Sequence, residues 1–272
     1  MLPIETSVLS CENTIKSRST EKIPKVHMSF HAAEMKILET LSGETVLELG
    51  AGYGYTAKQM TELYAMPVGI EPDISVILDS DVQKQYLENG KFMLAAAHGD
   101  GLPFENNAFD GVISHWSLHH YCFPLCVLLE ACRIIKKEGW LYLADGIEYD
   151  GKSVSPRQRN HLRFHDIAVA IDRLRHRDHF PLKKPDEIAE LIGKAGFKVE
   201  SMKVVLMENA IDLECEREYA THYMRRLTAL KEKAENMGAP RELSCRVDKL
   251  ISSISNEGIR LGPFVEFVCS KS

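Results

Sequence analysis

Apolar positions along this chain follow two periods. Short runs of β-branched, leucine and aromatic residues lie at Thr45 to Leu49, Pro67 to Glu71, Phe92 to Ala97, Phe109 to Ser114 and Trp140 to Ala144. Near-continuous apolar runs of this length are expected of strands buried on both faces. Between them, residues 30–41, 56–64, 74–87 and 124–136 place apolar side chains at helical spacing. Strands that alternate with helices predict a parallel sheet with right-handed crossovers and helices on both faces. In such a sheet the ligand crevice opens at the carboxyl ends of the strands.

After Asp145 the rhythm changes. A long helical series, residues 155–177, is dense in arginine and histidine. A helix at 185–195 and a strand at 198–206 restore the alternation, then helices at 212–237 and 241–254 precede a last strand at 264–269. The expected fold is a doubly wound, mostly parallel α/β sheet of seven strands. Residues 1–29 form an N-terminal arm and 30–272 one domain, carrying a helical lid insertion at 151–184 and a second helical insertion at 212–257.

Composition narrows the classes. Of the 272 residues 44% are hydrophobic, enough for a large core, and the net charge of -6 argues against a dedicated nucleic-acid binder. Seven cysteines, an odd number without regular spacing, read as free thiols in a reducing compartment. The first 25 residues lack the apolar core of a signal peptide, and no stretch is long and apolar enough to span a bilayer, so a cytoplasmic location is expected. Nothing in the sequence indicates an oligomeric state.

The first strand runs into Gly50, Gly52 and Gly54 before a helix. Glycine there permits a tight turn and close approach of a ligand to the backbone. A dinucleotide fingerprint would need glycine three positions after Gly52, where Tyr55 stands. Glu48, just before the glycines, would oppose a pyrophosphate but suit an ammonium. Glu71 ends the second strand about 20 residues beyond the loop, the usual place for an acid that accepts hydrogen bonds from ribose hydroxyls.

Taken together, Glu48 to Gly54, Glu71, the loop Gly99 to Phe104, the strand Phe109 to Ser114, Ser117 to His120 and Arg133 to Gly139 resemble the class I S-adenosylmethionine-dependent methyltransferases, in particular the small-molecule branch that includes ubiquinone and menaquinone biosynthesis enzymes. The resemblance covers roughly residues 30–146. It implies S-adenosyl-L-methionine as cofactor, bound by Glu48, Gly50, Ala51, Gly52, Tyr55, Glu71, Pro72, Asp100, Gly101, Leu102, Ser114 and His115. Asp100 would hold the adenine amino group. The expected reaction is methyl transfer to a small-molecule, anionic acceptor. Alternatives on the same fold are a protein side-chain methyltransferase and a catalytically silent binder of cofactor or partner.

Several residues carry two readings. His119 and His120 follow the fourth strand and suit a general base, or only a helix start. Trp116 would help to shape the acceptor side. Tyr53 and Tyr55 offer π faces to a sulfonium, or packing beneath the loop. His161 and His165, four apart, could share a metal; without an evident partner in sequence a solvated or substrate-facing helix is the expectation, and no metal site is assigned. Cys126 and Cys132 are expected in the core. The basic run of Arg157, Arg159, Arg163, Arg173, Arg175, Arg177 and Lys183 is either a lid that attracts an anionic acceptor or a face paired with the acidic segment 212–218.

Overall fold

A computed structural model describes residues 4–5, 32–80, 92–149, 154–206 and 213–272. The sheet has eight strands: β1 (Ile4–Glu5), β2 (Thr45–Leu49), β3 (Met66–Glu71), β4 (Met93–Ala96), β5 (Phe109–His115), β6 (Ile135–Gly146), β7 (Phe197–Val205) and β8 (Phe264–Lys271). Their order is β1-β7-β8-β6-β5-β2-β3-β4. All pairings are parallel except those of β8, which lies antiparallel between β6 and β7. The strands beyond the expected seven reduce to one: two residues of the N-terminal arm add a short edge to β7.

The helices are α1 (Ala32–Leu38), α2 (Tyr55–Met60), α3 (Ile74–Asp79), α4 (Pro124–Ile134), α5 (Pro156–Leu174), α6 (Pro185–Lys194), α7 (Leu213–Asn236) and α8 (Arg241–Glu257). The starts of the first expected helix, before residue 32, and the end of the third, beyond residue 80, lie outside the described residues. So do Cys11 and the side chain of Cys215.

Each face of the sheet buries its own core. Leu47, Leu49 and Val112 meet Val127, Leu128, Ala131 and Ile188 of α4 and α6 on one side. Val46, Ile113 and Tyr142 meet Leu38, Ala57 and Met60 of α1 and α2 on the other. Each fully buried leucine of this kind stabilises the fold by about 1.5–3 kcal/mol. Because α4 presents Val127, Leu128, Ala131 and Ile134 to the sheet, Cys126 turns outward. It is exposed and Cys132 only half-buried, which corrects the expectation that both are core residues.

A third core joins the two helical insertions. Phe164, Ile167 and Ile171 of α5 pack with Tyr219, Tyr223 and Leu227 of α7 and with Val247, Leu250 and Ile254 of α8. The insertions at 151–184 and 212–257 therefore share one three-helix cap, although the sequence separates them by a helix and a strand. A capping box starts α5: the Ser155 hydroxyl accepts from the Gln158 backbone N–H, and Gln158 returns the contact.

Asp110 ties the amino ends of the central strands together. Its carboxylate accepts from the backbone N–H groups of Glu44 and Thr45, from the Thr45 hydroxyl and from Lys136 at 2.6 Å. Partial burial works against the charge, but these donors outweigh it and hold the carboxyl well below the usual carboxylate range. A lowered folded-state value means stability that is present at neutral pH and is lost as the carboxylate protonates in acid. Asp110→Ala should lower the unfolding free energy at pH 7 by about 2–3 kcal/mol, with the difference from wild type shrinking as the pH falls. Denaturant titrations at neutral and acid pH check this; equal stability of the two proteins at pH 7 would contradict it.

Candidate active site

The carboxyl ends of β2, β3, β5 and β6 form one rim, and the glycine loop occupies its centre. Gly50, Gly52 and Gly54 take φ values of 67°, 53° and 82°, so three alternate residues lie in the left-handed region. At Gly50 a Cβ would stand 2.6 Å from Ser117 Cβ, whereas at Gly52 it would meet nothing within 4 Å. The first glycine thus permits packing beneath the loop. The second leaves its outer side open.

Two acids flank this loop. Glu71, half-buried at the end of β3, accepts from Gly52 N–H at 3.1 Å through Oε2 and from Asp73 N–H at 3.0 Å through Oε1. Burial raises its pKa against the lowering effect of those two hydrogen bonds. A carboxylate offers about four acceptor positions, so each oxygen keeps capacity for a ligand hydroxyl. Glu48 lies deeper, 1% exposed, where one oxygen accepts from the Thr56 hydroxyl and backbone Ala57 at the start of α2. Its Oε2 is buried and has no hydrogen-bond partner. Burial pushes this carboxyl up to about 7. Its side chain lies beneath the loop, against the start of α2.

The loop after β4 is clamped from below. Glu130 accepts from Leu102 N–H at 2.8 Å, and Arg133 donates to the carbonyls of Leu102 and Phe104 at 3.0 and 2.7 Å. Leu102 is buried, while Asp100 and Gly101 remain exposed, with open space where a Gly101 Cβ would project. Tyr121 links this loop to the glycines: its ring lies 2.9 Å from the ideal Cβ position of Gly99 and its hydroxyl 3.4 Å from that of Gly50. Sequence reading stopped at the dihistidine and passed over Tyr121. Ala51 is buried, Pro72 exposed, and Tyr55 packs against the α1/α2 core, which favours the packing role over a π face toward a ligand.

Ser114 and His115 are turned inward. The Ser114 hydroxyl stands 3.0 Å from that of Ser117, which donates to the Leu49 carbonyl. His115 pairs with buried Glu34 at 3.2 Å. Burial opposes its protonation, but Glu34 lifts the imidazole above its usual value. Tyr142 donates toward both Glu34 and Glu266 in the same enclosed network. Strand alternation sends His115 to the α1 face.

Past β5 the chain enters Trp116 at φ 54°, an uncommon value for a non-glycine residue, and a 3-10 turn at Leu118–His120. Asp145, buried at the end of β6, receives His119 Nδ1 at 2.5 Å and the backbone N–H groups of His119 and Gly146. Trp116 packs against Phe264 and His161. His161 and His165 are both buried, which removes the solvated alternative for their helix face and leaves the substrate-facing one; His165 meets His179, whose Nδ1 pairs with Asp172 at 2.9 Å. Neither Asp145 nor His179 stood out in the sequence, although Asp145, an acid at a strand's carboxyl end, carried the same signal as Glu71.

The basic run is partly neutralised. Arg157 makes two bonds to Glu216, which also receives Arg260, and Arg175 pairs with Asp172. Arg177 reaches Asp73 at 3.9 Å across the rim. Arg163 and Arg173 remain exposed.

Residues 47–143 match the methyltransferase domain family. A Bacillus subtilis protein named as the uncharacterized methyltransferase YcgJ is 26% identical over 113 residues, 41% of this chain and 44% of that protein. Its solved structure superposes with a TM-score of 0.57 at 14% identity, covering 88% of this chain and 96% of that one. Demethylmenaquinone methyltransferase of Tropheryma whipplei is 26% identical over 181 residues, 63% of this chain and 73% of that protein. The [4+2]-cyclase SpnF shares the fold, with a TM-score of 0.58 at 14% identity and coverage of 88% and 80%. The chain thus spans less than half the length of YcgJ in the sequence match, and the fold alone does not define the reaction. No helix among the described residues is long and apolar enough to cross a membrane. Residues 47–143 thus carry a methyltransferase domain, and the motif order and doubly wound sheet around it are similar to those of the class I S-adenosylmethionine-dependent methyltransferases.

Proposed function

We propose that this protein transfers the methyl group of S-adenosylmethionine to a small-molecule acceptor held between the carboxyl ends of β5 and β6 and the helical cap. The reading is carried by Glu71, an oriented carboxylate with open acceptor capacity beside the unobstructed side of Gly52. The residues fit the cofactor. Glu71 suits a ribose, open space at Gly52 and Gly101 admits a ligand against the backbone, and buried Glu48 Oε2 lacks a donor that an ammonium would supply. Asp100 is exposed above the clamped loop, as an adenine-binding acid would need to be.

The bound sulfonium supplies an activated methyl group on a good leaving group. The chain's own contribution is position and proton management. The Asp145–His119 contact fixes the imidazole so that Nδ1 is the donor and Nε2 keeps a lone pair for an acceptor proton. Trp116, Phe264 and the cap enclose the neighbouring space, and aligning nucleophile and methyl in a dry site supplies most of the rate enhancement. Arg163 and Arg173, exposed and outside the ion pairs of the basic run, support an anionic acceptor.

Incubation with methyl-labelled S-adenosylmethionine and a fractionated cell extract should label a low-molecular-weight product. Label confined to proteins or RNA would contradict the small-molecule acceptor, and donor binding without turnover in any fraction would contradict the enzymatic reading.

Glu48 sets a pH dependence. In the free protein burial holds its carboxyl near 7, and a cation beside Oε2 favours the ionised form. Cofactor affinity should therefore tighten several-fold between about pH 6 and 7.5 with proton release, and Glu48→Gln should bind more weakly and lose that slope. Calorimetry in buffers of different ionisation enthalpy reads both. A flat affinity in the wild type would remove Glu48 from the ammonium site.

A further inference from the structure

The acceptor side gathers more imidazoles than a single proton transfer uses. His119 and His120 come from the turn after β5, His165 from α5, and His179 from the segment between α5 and α6. Ring centroids lie 4.3 Å apart for His119 and His120, 4.4 Å for His120 and His179, and 4.8 Å for His165 and His179. One ring nitrogen each of His119, His120 and His179 lies within 4.8 Å of the other two.

The outer nitrogens of these three rings are already assigned. Nδ1 of His119 faces Asp145, Nδ1 of His179 faces Asp172, and Nδ1 of His120 faces the Asp178 carbonyl at 3.3 Å. A carbonyl and an ionised carboxylate only accept, so in each ring Nδ1 carries the hydrogen and Nε2 keeps its lone pair. Each of the three rings thus keeps one lone pair, on Nε2. His165 can donate from Nε2 to His179 Nε2 at 3.2 Å, but that leaves its own buried Nδ1 without a partner.

We propose that His119, His120 and His179 bind a divalent transition metal of the zinc class, with His165 standing beside them as a further imidazole. Neutral imidazole is the form a metal takes, and a carboxylate or carbonyl on the far nitrogen is the arrangement that orients metal-ligating histidine. An all-nitrogen donor set selects zinc, nickel, copper or iron over calcium and magnesium, which prefer oxygen. With Zn–N bonds of about 2.0–2.1 Å, two ligands of a tetrahedral site sit ~3.4 Å apart, so nitrogens within 4.8 Å of one another need to converge by at most about 1.4 Å. His120 is exposed, which gives an ion a way in. The inference is independent of methyl transfer, but a metal here would take the His119 lone pair and would itself activate an acceptor oxygen or sulfur.

The test uses chelator-treated full-length protein without cofactor. Titration with Co2+, followed by its ligand-field absorption and by Zn2+ competition, should show about one tightly held ion per chain. His179→Ala and His120→Gln should each weaken binding at least tenfold. Asp172→Asn, which leaves all ligands in place, should weaken it by about 10–100-fold. Circular dichroism identifies any variant that fails to fold, and the exposed His120→Gln change keeps the test open in that case. No stoichiometric ion, or binding that survives in folded His120→Gln and Asp172→Asn proteins, would overturn the proposal. S-adenosylmethionine affinity, measured on the same metal-free samples, separates this outcome from failure of the proposed function.

Discussion

A single carboxylate couples the two halves of the crevice. Glu71 accepts one N–H from the glycine loop after β2 and one from the turn after β3, so the positions of Gly52 and Asp73 are set together. Losing this charge-assisted acceptor of a part-buried loop N–H would cost about 1 kcal/mol, so the loop's conformation depends on Glu71 as well as on its glycines. The same acid keeps acceptor capacity toward the crevice. A structural bond and a ligand-binding capacity therefore reside in one side chain, and the remaining parts of the rim arrange around it: Ser117 beneath Gly50, Tyr121 beneath Gly99, and the Glu130–Arg133 clamp beneath Leu102.

The glycine loop and the acid beside it were legible because their requirements are local. Three left-handed residues in alternate positions demand glycine, and an acid at the end of the next parallel strand follows from one crossover. Alternation along β2 directs Glu48 to the start of α2, and the same alternation along β5 takes His115 to Glu34. Strand ends mark candidate residues well and their orientation poorly.

The histidine cluster was not legible because its partners are distant in sequence. His119 meets Asp145 across 26 residues and comes within 5.5 Å, ring to ring, of His179, which only a folded cap delivers. The basic run likewise divides in ways that only contacts reveal: Arg157 serves Glu216 within the cap, while Arg177 points across the rim to Asp73. The two helical insertions read as separate because periodicity carries no information on which apolar stripes meet; Phe164, Tyr223 and Val247 meet through α5, α7 and α8. Fold class is a property of the pattern, whereas the histidine cluster and the helical cap are properties of packing.

Hydrogen–deuterium exchange with and without S-adenosylhomocysteine tests the central claim, that the cofactor is held against the Glu71-locked glycine loop. The account predicts added protection at residues 50–54, 71–73 and 99–102, with the outer helices α7 and α8 unchanged. Protection confined to the helical cap, or none at saturating ligand, would contradict it.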